Sequence, residues 1–324
     1  MSTDLERVTL SGPTMGTRWN AELGVPAGAD LAALERALAA AVARVDGQMS
    51  TWKENSDLMR LNAAPVGQWV SVPAELMQVL ARGLEIGRLS DGAFDIGLGD
   101  LARAWGFNAQ PPDEAAIRAA LGRPRRPAHE RLELDPSNGR ARKLEPVALD
   151  LSGIAKGYGV DRMMQVCDDF AIASALVALD GELRGKGVQP DGRPWAVAIE
   201  NPDPDPADRR ALSVLELQDA AVATSGDYRQ WVRVGQARLS HSMDRTRGGP
   251  VQPGIASVTV VAPDCMAADA MATAILVSGR EKGMKLANRQ GIDCLILERS
   301  AGGIVRHGVG PLFTGHDKPA PART

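Results

Sequence analysis

The chain has 324 residues, 44% hydrophobic and 24% charged, with a formal net charge of −3. That is enough apolar material for one large or two ordinary domains, without the basic excess of a nucleic-acid binder. Aromatic residues at 4% argue against a base-stacking surface. Cys167, Cys265 and Cys294, with no CxxC spacing, argue against a disulfide scaffold or a structural zinc site.

Residues 7–23 alternate as a strand pair or hairpin. Residues 30–50 predict an amphipathic helix, with Asp30 as N-cap and a stripe of Leu31, Leu34, Leu38, Val42 and Val45. A second helix is predicted over 70–92, with Pro73 near its start and Gly92 after its end, and a short third over 112–123. The prolines of 124–127 predict a loop, and residues 131–151 a hairpin turning at Asn138-Gly139. PVALDL (146–151) reads as a short buried strand, with a helix following Gly157. Strands are predicted at 175–184 and 194–200, with a linker at 201–210, then strands at 212–217 and 221–224. QWVRV and ARLSH form a hairpin around Gly235-Gln236. A buried strand over 257–263 leads into helices over 263–279 and 281–290, and CLILE is the last strand. The tail from Thr314 is expected to be disordered. Hairpins and scattered helices, without regular βαβ alternation, predict an α+β fold of mixed or antiparallel sheets with packed helices.

No apolar run reaches the roughly 18 residues of a membrane span. The N-terminal MSTDLERVTLSGPTMGT lacks a basic region followed by an apolar one. As written the chain is expected in the cytoplasm, or in the periplasm if a leader has been removed.

Four segments could carry chemistry. GLGDLA (97–102) fits GxGxxA, but Pro111-Pro112 cuts short the helix a dinucleotide fold needs. DLSGIAKGYGVD (150–161) places Lys156 in a Gly-rich turn without the spacing of a Walker loop. It is either a plain strand-to-helix turn with a solvated lysine, or a phosphate cradle of backbone N–H groups with a point charge. In ADAMAT (268–273), Asp269 and Thr273 are i and i+4, so they share a helix face. A carboxylate and a hydroxyl are hard ligands suited to Mg²⁺; equally, Asp269 could be an exposed acid near a helix N-terminus. In RLSHSMDRTRGGP (238–250), His241 is a candidate general base, although a lone histidine is more often structural.

Taken in order, these segments resemble the ApbE-type FAD:protein FMN transferases over residues 13–313. TMGT (14–17), MSTWKENSDLMRLN (49–62) and GAFDIGLGDLARAWGF (92–107) resemble that family's N-terminal motifs, and DLSGIAKGYGVD its central signature. LDGELRGKG (179–187), ATSGDYR (223–229), the His241 segment and ADAMAT follow in family order.

The resemblance implies a single domain over 1–313, of one or two lobes, with an FAD cleft between lobes and a tail over 314–324. It implies Mg²⁺-dependent transfer of the FMN half of FAD to a Thr or Ser hydroxyl of an acceptor flavoprotein, with AMP released, by a monomer or homodimer. Met15, Trp52, Ala93, Phe94, Asp95, Asp150, Lys156 and His241 match positions lining the FAD site. Asp269, Thr273 and the main-chain carbonyl near Gly153 match metal ligands. His241 would take the acceptor proton, with Asp244 orienting it. Arg245 stands where the family commonly has proline, which affects the shape of this loop. If water replaced the acceptor hydroxyl, the same site would hydrolyse FAD to FMN and AMP; without transfer, the chain would be an FAD-binding or delivery protein.

Overall fold

The computed structural model describes residues 5–314 other than 108–110, 122, 124, 203–210, 228–230, 235 and 236. Most of the linker, the Gly235-Gln236 turn and the tail beyond Thr314 therefore lie outside the described residues. β1 (Leu5–Thr14) and β2 (Thr17–Pro26) form the expected hairpin. Met15 and Gly16 join them with φ of 45° and 72°, the left-handed pair that a tight two-residue turn demands. In α1 (Leu31–Met49), Asp30 caps the helix by accepting from the Ala33 N–H, and Leu34, Leu38, Val42 and Val45 are buried. The sequence reading missed α2 (Asp57–Ala63), capped by Ser56.

The helix expected over 70–92 is shorter. Val70 and Ser71 form β3 (Val70–Ser71), and α3 (Ala74–Leu89) begins only after Pro73. α4 (Gly99–Ala104) and α5 (Glu114–Ala120) flank the Pro111-Pro112 break. β4 (Leu132–Asp135) and β5 (Arg140–Lys143) make the Asn138-Gly139 hairpin, and β3 pairs with β5 to complete a small sheet.

PVALDL is not a ladder strand. It alternates like one, with Val147, Leu149 and Leu151 buried. Its backbone, however, bonds to a loop and a side chain: the Gly99 N–H donates to Ala148 O, and the Asp150 N–H to Ile96 O. α6 (Ala155–Asp169) starts ahead of Gly157, not after it. The strand expected over 175–184 is two, β6 (Ser174–Leu179) and β7 (Glu182–Lys186), turning at Asp180, whose φ is 58°.

β8 (Trp195–Glu200) pairs with β9 (Ala211–Leu217), and β10 (Ala221–Gly226) follows. β11 (Trp231–Val234) pairs with β12 (Ala237–Ser240), and β13 (Met243–Asp244) with β14 (Gly249–Pro250). β15 (Ile255–Ala262), α7 (Cys265–Ser278), α8 (Arg280–Gln290) and β16 (Asp293–Ser300) match expectation, and β17 (Gly303–Val309) adds an unforeseen edge strand.

Eight strands form one sheet in the order β1-β2-β6-β7-β10-β15-β16-β17, antiparallel at every pairing. The fold is α+β. Strand alternation sends neighbouring residues to opposite faces: Val258 and Val260 pack with α7 and α3, while Val261 packs with Trp195, Val197 and Leu215 of the β8–β9 ribbon. The sheet is thus covered by helices on one face and a ribbon on the other. Among the described residues no helix is long and apolar enough to cross a membrane.

Candidate active site

A cavity of about 960 Å³ opens where the ends of β6, β7 and β10 meet α6, α7 and the loops after α1 and before α6. It brings together Met15, Trp52, Asp150 and Lys156 from the first half of the chain with His241, Asp269 and Thr273 from the second, and Gly153 lies on its wall. Ala93, Phe94 and Asp95 instead line a smaller adjoining cavity of about 100 Å³, which shares Asp150, Gly153, His241 and Thr273 with the large one. Asp244 lines neither.

The floor is built by two helices that cap each other. Asp269 of α7 accepts from the Gly157 N–H in the first turn of α6 at 3.0 Å. Asp161 of α6 accepts from the Cys265 and Met266 N–H groups at the start of α7, at 3.0 and 2.9 Å. Each carboxylate satisfies orphan donors of the other helix, where the helix dipole favours negative charge. The glycine makes this approach feasible: a Cβ on Gly157 would collide with the Cys265 carbonyl oxygen and lie 2.8 Å from Asp269 Cβ. Gly157 serves helix packing, not a turn.

The helix-face pairing of Asp269 and Thr273 holds, but Asp269 is buried at 3% exposure, not a solvated acid near a helix end. Burial and the nearby Glu182 charge push its carboxyl up to about 7, against the opposing pull of Lys156 and the Gly157 N–H. Lys156 is not a free phosphate ligand. Its Nζ stands 2.9 Å from both oxygens of Glu182 and 3.6 Å from Asp180. Burial lowers its affinity for the proton, but the charges of Glu182, Asp269 and Asp180 outweigh this and hold it above its ordinary value. Glu182 is 3% exposed, and burial raises its carboxyl despite Lys156. One ammonium thus faces Asp180, Glu182 and Asp269, and the surplus negative charge suits a divalent cation.

Thr273 Oγ1 lies 3.0 Å from Ser225 Oγ of β10, and a Cβ on Gly153 would sit 3.3 Å from the same Thr273 oxygen. The Gly153 backbone therefore passes close to the Asp269–Thr273 face because it carries no side chain. The Asp269 carboxylate and Thr273 hydroxyl, on one cavity wall, are hard oxygen donors of the kind Mg²⁺ takes while keeping several waters. No group of three or more His, Cys, Asp or Glu residues suited to a metal occurs among the described residues.

The stretch entering Gly153 is held by Asn62 of α2, which the sequence reading took only as part of a motif. Its side-chain amide accepts from the Leu149 N–H at 2.7 Å and donates to the Leu149 carbonyl at 2.9 Å. It thus stands in for the ladder partner that PVALDL lacks. Asp150 follows, its Oδ1 accepting from the Ser152 N–H and hydroxyl at 2.8 and 2.5 Å. Trp52 is 64% exposed at the rim, with its ring available for stacking.

His241 opens on both cavities and meets the Phe107 ring edge-on at 6.4 Å between centroids. Asp244, expected to orient it, has Oδ1 engaged by the Thr246 N–H and hydroxyl at 2.8 and 2.7 Å; it shapes the turn between β13 and β14. Asp95 is turned from the large cavity toward the Gly97 and Ala128 N–H groups, at 2.8 and 3.1 Å.

The same arrangement of elements occurs in solved flavin transferases. The chain superposes on the flavin transferase ApbE from Vibrio cholerae with a TM-score of 0.82 and 33% identity, covering 94% of this chain and 97% of that one. For the flavinyl transferase ApbE of Pseudomonas stutzeri in its apo form, the TM-score is 0.83 at 31% identity and 98% of each chain. Among curated sequences, the Vibrio cholerae FAD:protein FMN transferase is 35% identical over 307 residues, 92% of this chain and 89% of the relative. The Haemophilus influenzae protein of the same name is 31% identical over 312 residues, 92% of this chain and 88% of the relative. The profile of the ApbE family matches residues 15–296. With a matching fold and relatives that span almost the whole chain, the protein belongs to the ApbE family.

Proposed function

We propose that this enzyme is an FAD:protein FMN transferase, which moves the FMN half of FAD to a Thr or Ser hydroxyl of an acceptor flavoprotein, uses Mg²⁺ and releases AMP. Relatives with near-complete overlap carry that name. The observation that carries the reading is that Thr273, His241 and the buried Asp269 all open on one cavity.

In this reaction the acceptor oxygen bonds to the FMN phosphorus. The bond from that phosphorus to the bridging oxygen breaks, and the oxygen leaves with AMP. His241, on the wall shared by the two cavities, takes the hydroxyl proton as general base. Asp269, Thr273 and the Gly153 carbonyl would hold Mg²⁺, which when bound neutralises pyrophosphate charge. Lys156 keeps Glu182 compensated and contributes positive potential to the cavity. Trp52 and Met15 offer apolar surface to the flavin at the rim, Asp150 presents a carboxylate to it, and Ala93 and Phe94 back the site from the small cavity.

The test is stoichiometric. With FAD, Mg²⁺ and an acceptor domain carrying a Thr flavinylation motif, AMP released should equal flavin retained by the denatured acceptor. AMP matched by free FMN would identify a hydrolase, and intact FAD a binding protein.

A further inference from the structure

Thr273 stands opposite a serine at the edge of an apolar layer. Alternate residues of a strand share one face of a sheet, so Ala221, Ala223 and Ser225 of β10 lie on one face. Ala221 belongs to the apolar cluster of Val160 and Cys265, and Ala223 to that of Val258, Val260 and Ala270. This is the face turned to α6 and α7, and its small side chains let α7 come close. Ser225 closes the row and carries its one polar side-chain atom. That oxygen lies 3.0 Å from Thr273 Oγ1, and both residues line the large cavity.

A threonine inside a helix commonly bonds its hydroxyl to the carbonyl three or four residues back. Thr273 is bonded to Ser225 instead, and among the described residues neither hydroxyl has another hydrogen-bond partner. A hydroxyl has one proton and two lone pairs, so one proton serves this pair. If Ser225 were the donor, the Thr273 proton would be left for the cavity, facing any cation held there with Asp269. With Thr273 as donor, its lone pairs are left for that cation. The Ser225 proton then goes to water or substrate in the cavity.

We infer that Ser225 is a positioning residue for the metal site: its oxygen takes the Thr273 proton and so presents the Thr273 lone pairs to a hard divalent cation. The inference rests on the transferase reading for the metal-ligand roles of Asp269 and Thr273. Packing alone does not set this direction, because a hydroxyl proton rotates freely until a partner accepts it. Partners that orient a metal ligand in this way contribute about 10–100-fold to metal affinity or activity.

The variants are Ser225→Ala, which removes the acceptor, Ser225→Thr, which keeps it, Thr273→Val, and the double variant Ser225→Ala/Thr273→Val. The probe is Mn²⁺, which takes the same hard oxygen ligands as Mg²⁺. It is titrated into the free protein, and unbound ion is counted by its electron paramagnetic resonance signal. The Mg²⁺ concentration for half-maximal rate is read in the transfer assay, and circular dichroism checks that each variant is folded. Ser225→Ala should raise the Mn²⁺ dissociation constant and the half-maximal Mg²⁺ concentration by about 10–100-fold. Ser225→Thr should recover most of the loss. In the Thr273→Val background, Ser225→Ala should weaken Mn²⁺ binding no further. An unchanged Mn²⁺ dissociation constant in folded Ser225→Ala overturns the inference. So does a further loss in the double variant, which would give Ser225 a role independent of Thr273. A wild-type protein that binds no Mn²⁺ removes the metal site and this inference with it. A wild-type protein that binds Mn²⁺ but transfers no flavin fails the transferase reading alone, and the binding measurements still decide the role of Ser225.

Discussion

Replacing Gly157 with alanine sets helix propensity against helix packing. In an exposed helix the change gains about 1 kcal/mol. Here the new methyl would collide with the Cys265 carbonyl oxygen and lie 2.8 Å from Asp269 Cβ, main chain and a buried side chain that cannot swing away. Overpacking of that kind costs about 1–3 kcal/mol. Moving α6 off α7 also lengthens the 3.0 Å hydrogen bond from the Gly157 N–H to the Asp269 carboxylate, a charge-assisted bond contributing about 1.5–3 kcal/mol. The net is a destabilisation of about 2–5 kcal/mol, or roughly 4–20 °C in melting temperature at about 2–4 °C per kcal/mol. The assay is thermal unfolding followed by circular dichroism, without added metal. A Gly157→Ala protein melting at or above the wild-type temperature would refute the packing argument.

Other substitutions separate the roles around the cavity. His241→Ala should slow transfer by about 10²–10⁴-fold, the usual contribution of a general base, with FAD binding retained in a fluorescence titration; equal loss of both would make His241 a binding residue. Asp269→Ala should abolish transfer and also the thermal stabilisation that Mg²⁺ confers through binding to the native state; a Mg²⁺-induced shift equal to wild type would remove Asp269 from the metal site. Asn62→Ala should cost about 2–4 kcal/mol, because both its bonds to the Leu149 backbone are lost. Denaturant unfolding measures this, and a loss below 0.5 kcal/mol, the scatter of ordinary surface changes, would contradict it.

Residues whose role is local were legible in the sequence. Asp30 capping α1, Asn138-Gly139 closing β4 and β5, and Asp269 and Thr273 on one helix face each follow from a short window. What escaped depends on partners far along the chain. PVALDL has the alternation of a strand, but Asn62, from 87 residues away, takes the place of a neighbouring strand. Gly157 looks like a turn glycine until α7 is seen against it. The reciprocal capping joins Asp161 to Cys265 and Gly157 to Asp269, more than 100 residues apart in each case. Lys156 reads as a phosphate ligand because the sequence does not show Glu182 folding back on it from β7. One signal was available: Asp269 sits in the apolar run MAADAMA, and buried acids require partners. β17 and α2 escaped for a simpler reason: GIVRHGV has two glycines and two basic residues in place of a clean alternation, and α2 is only seven residues long.

Metal-dependent transfer of FMN to protein is tested most directly by the intact mass of an acceptor flavoprotein after incubation with this enzyme and FAD. With Mg²⁺ the acceptor should gain one FMN less water, and with EDTA its mass should not change. No gain with Mg²⁺ would contradict transfer, and an equal gain in EDTA would contradict a metal held by Asp269, Thr273 and Gly153.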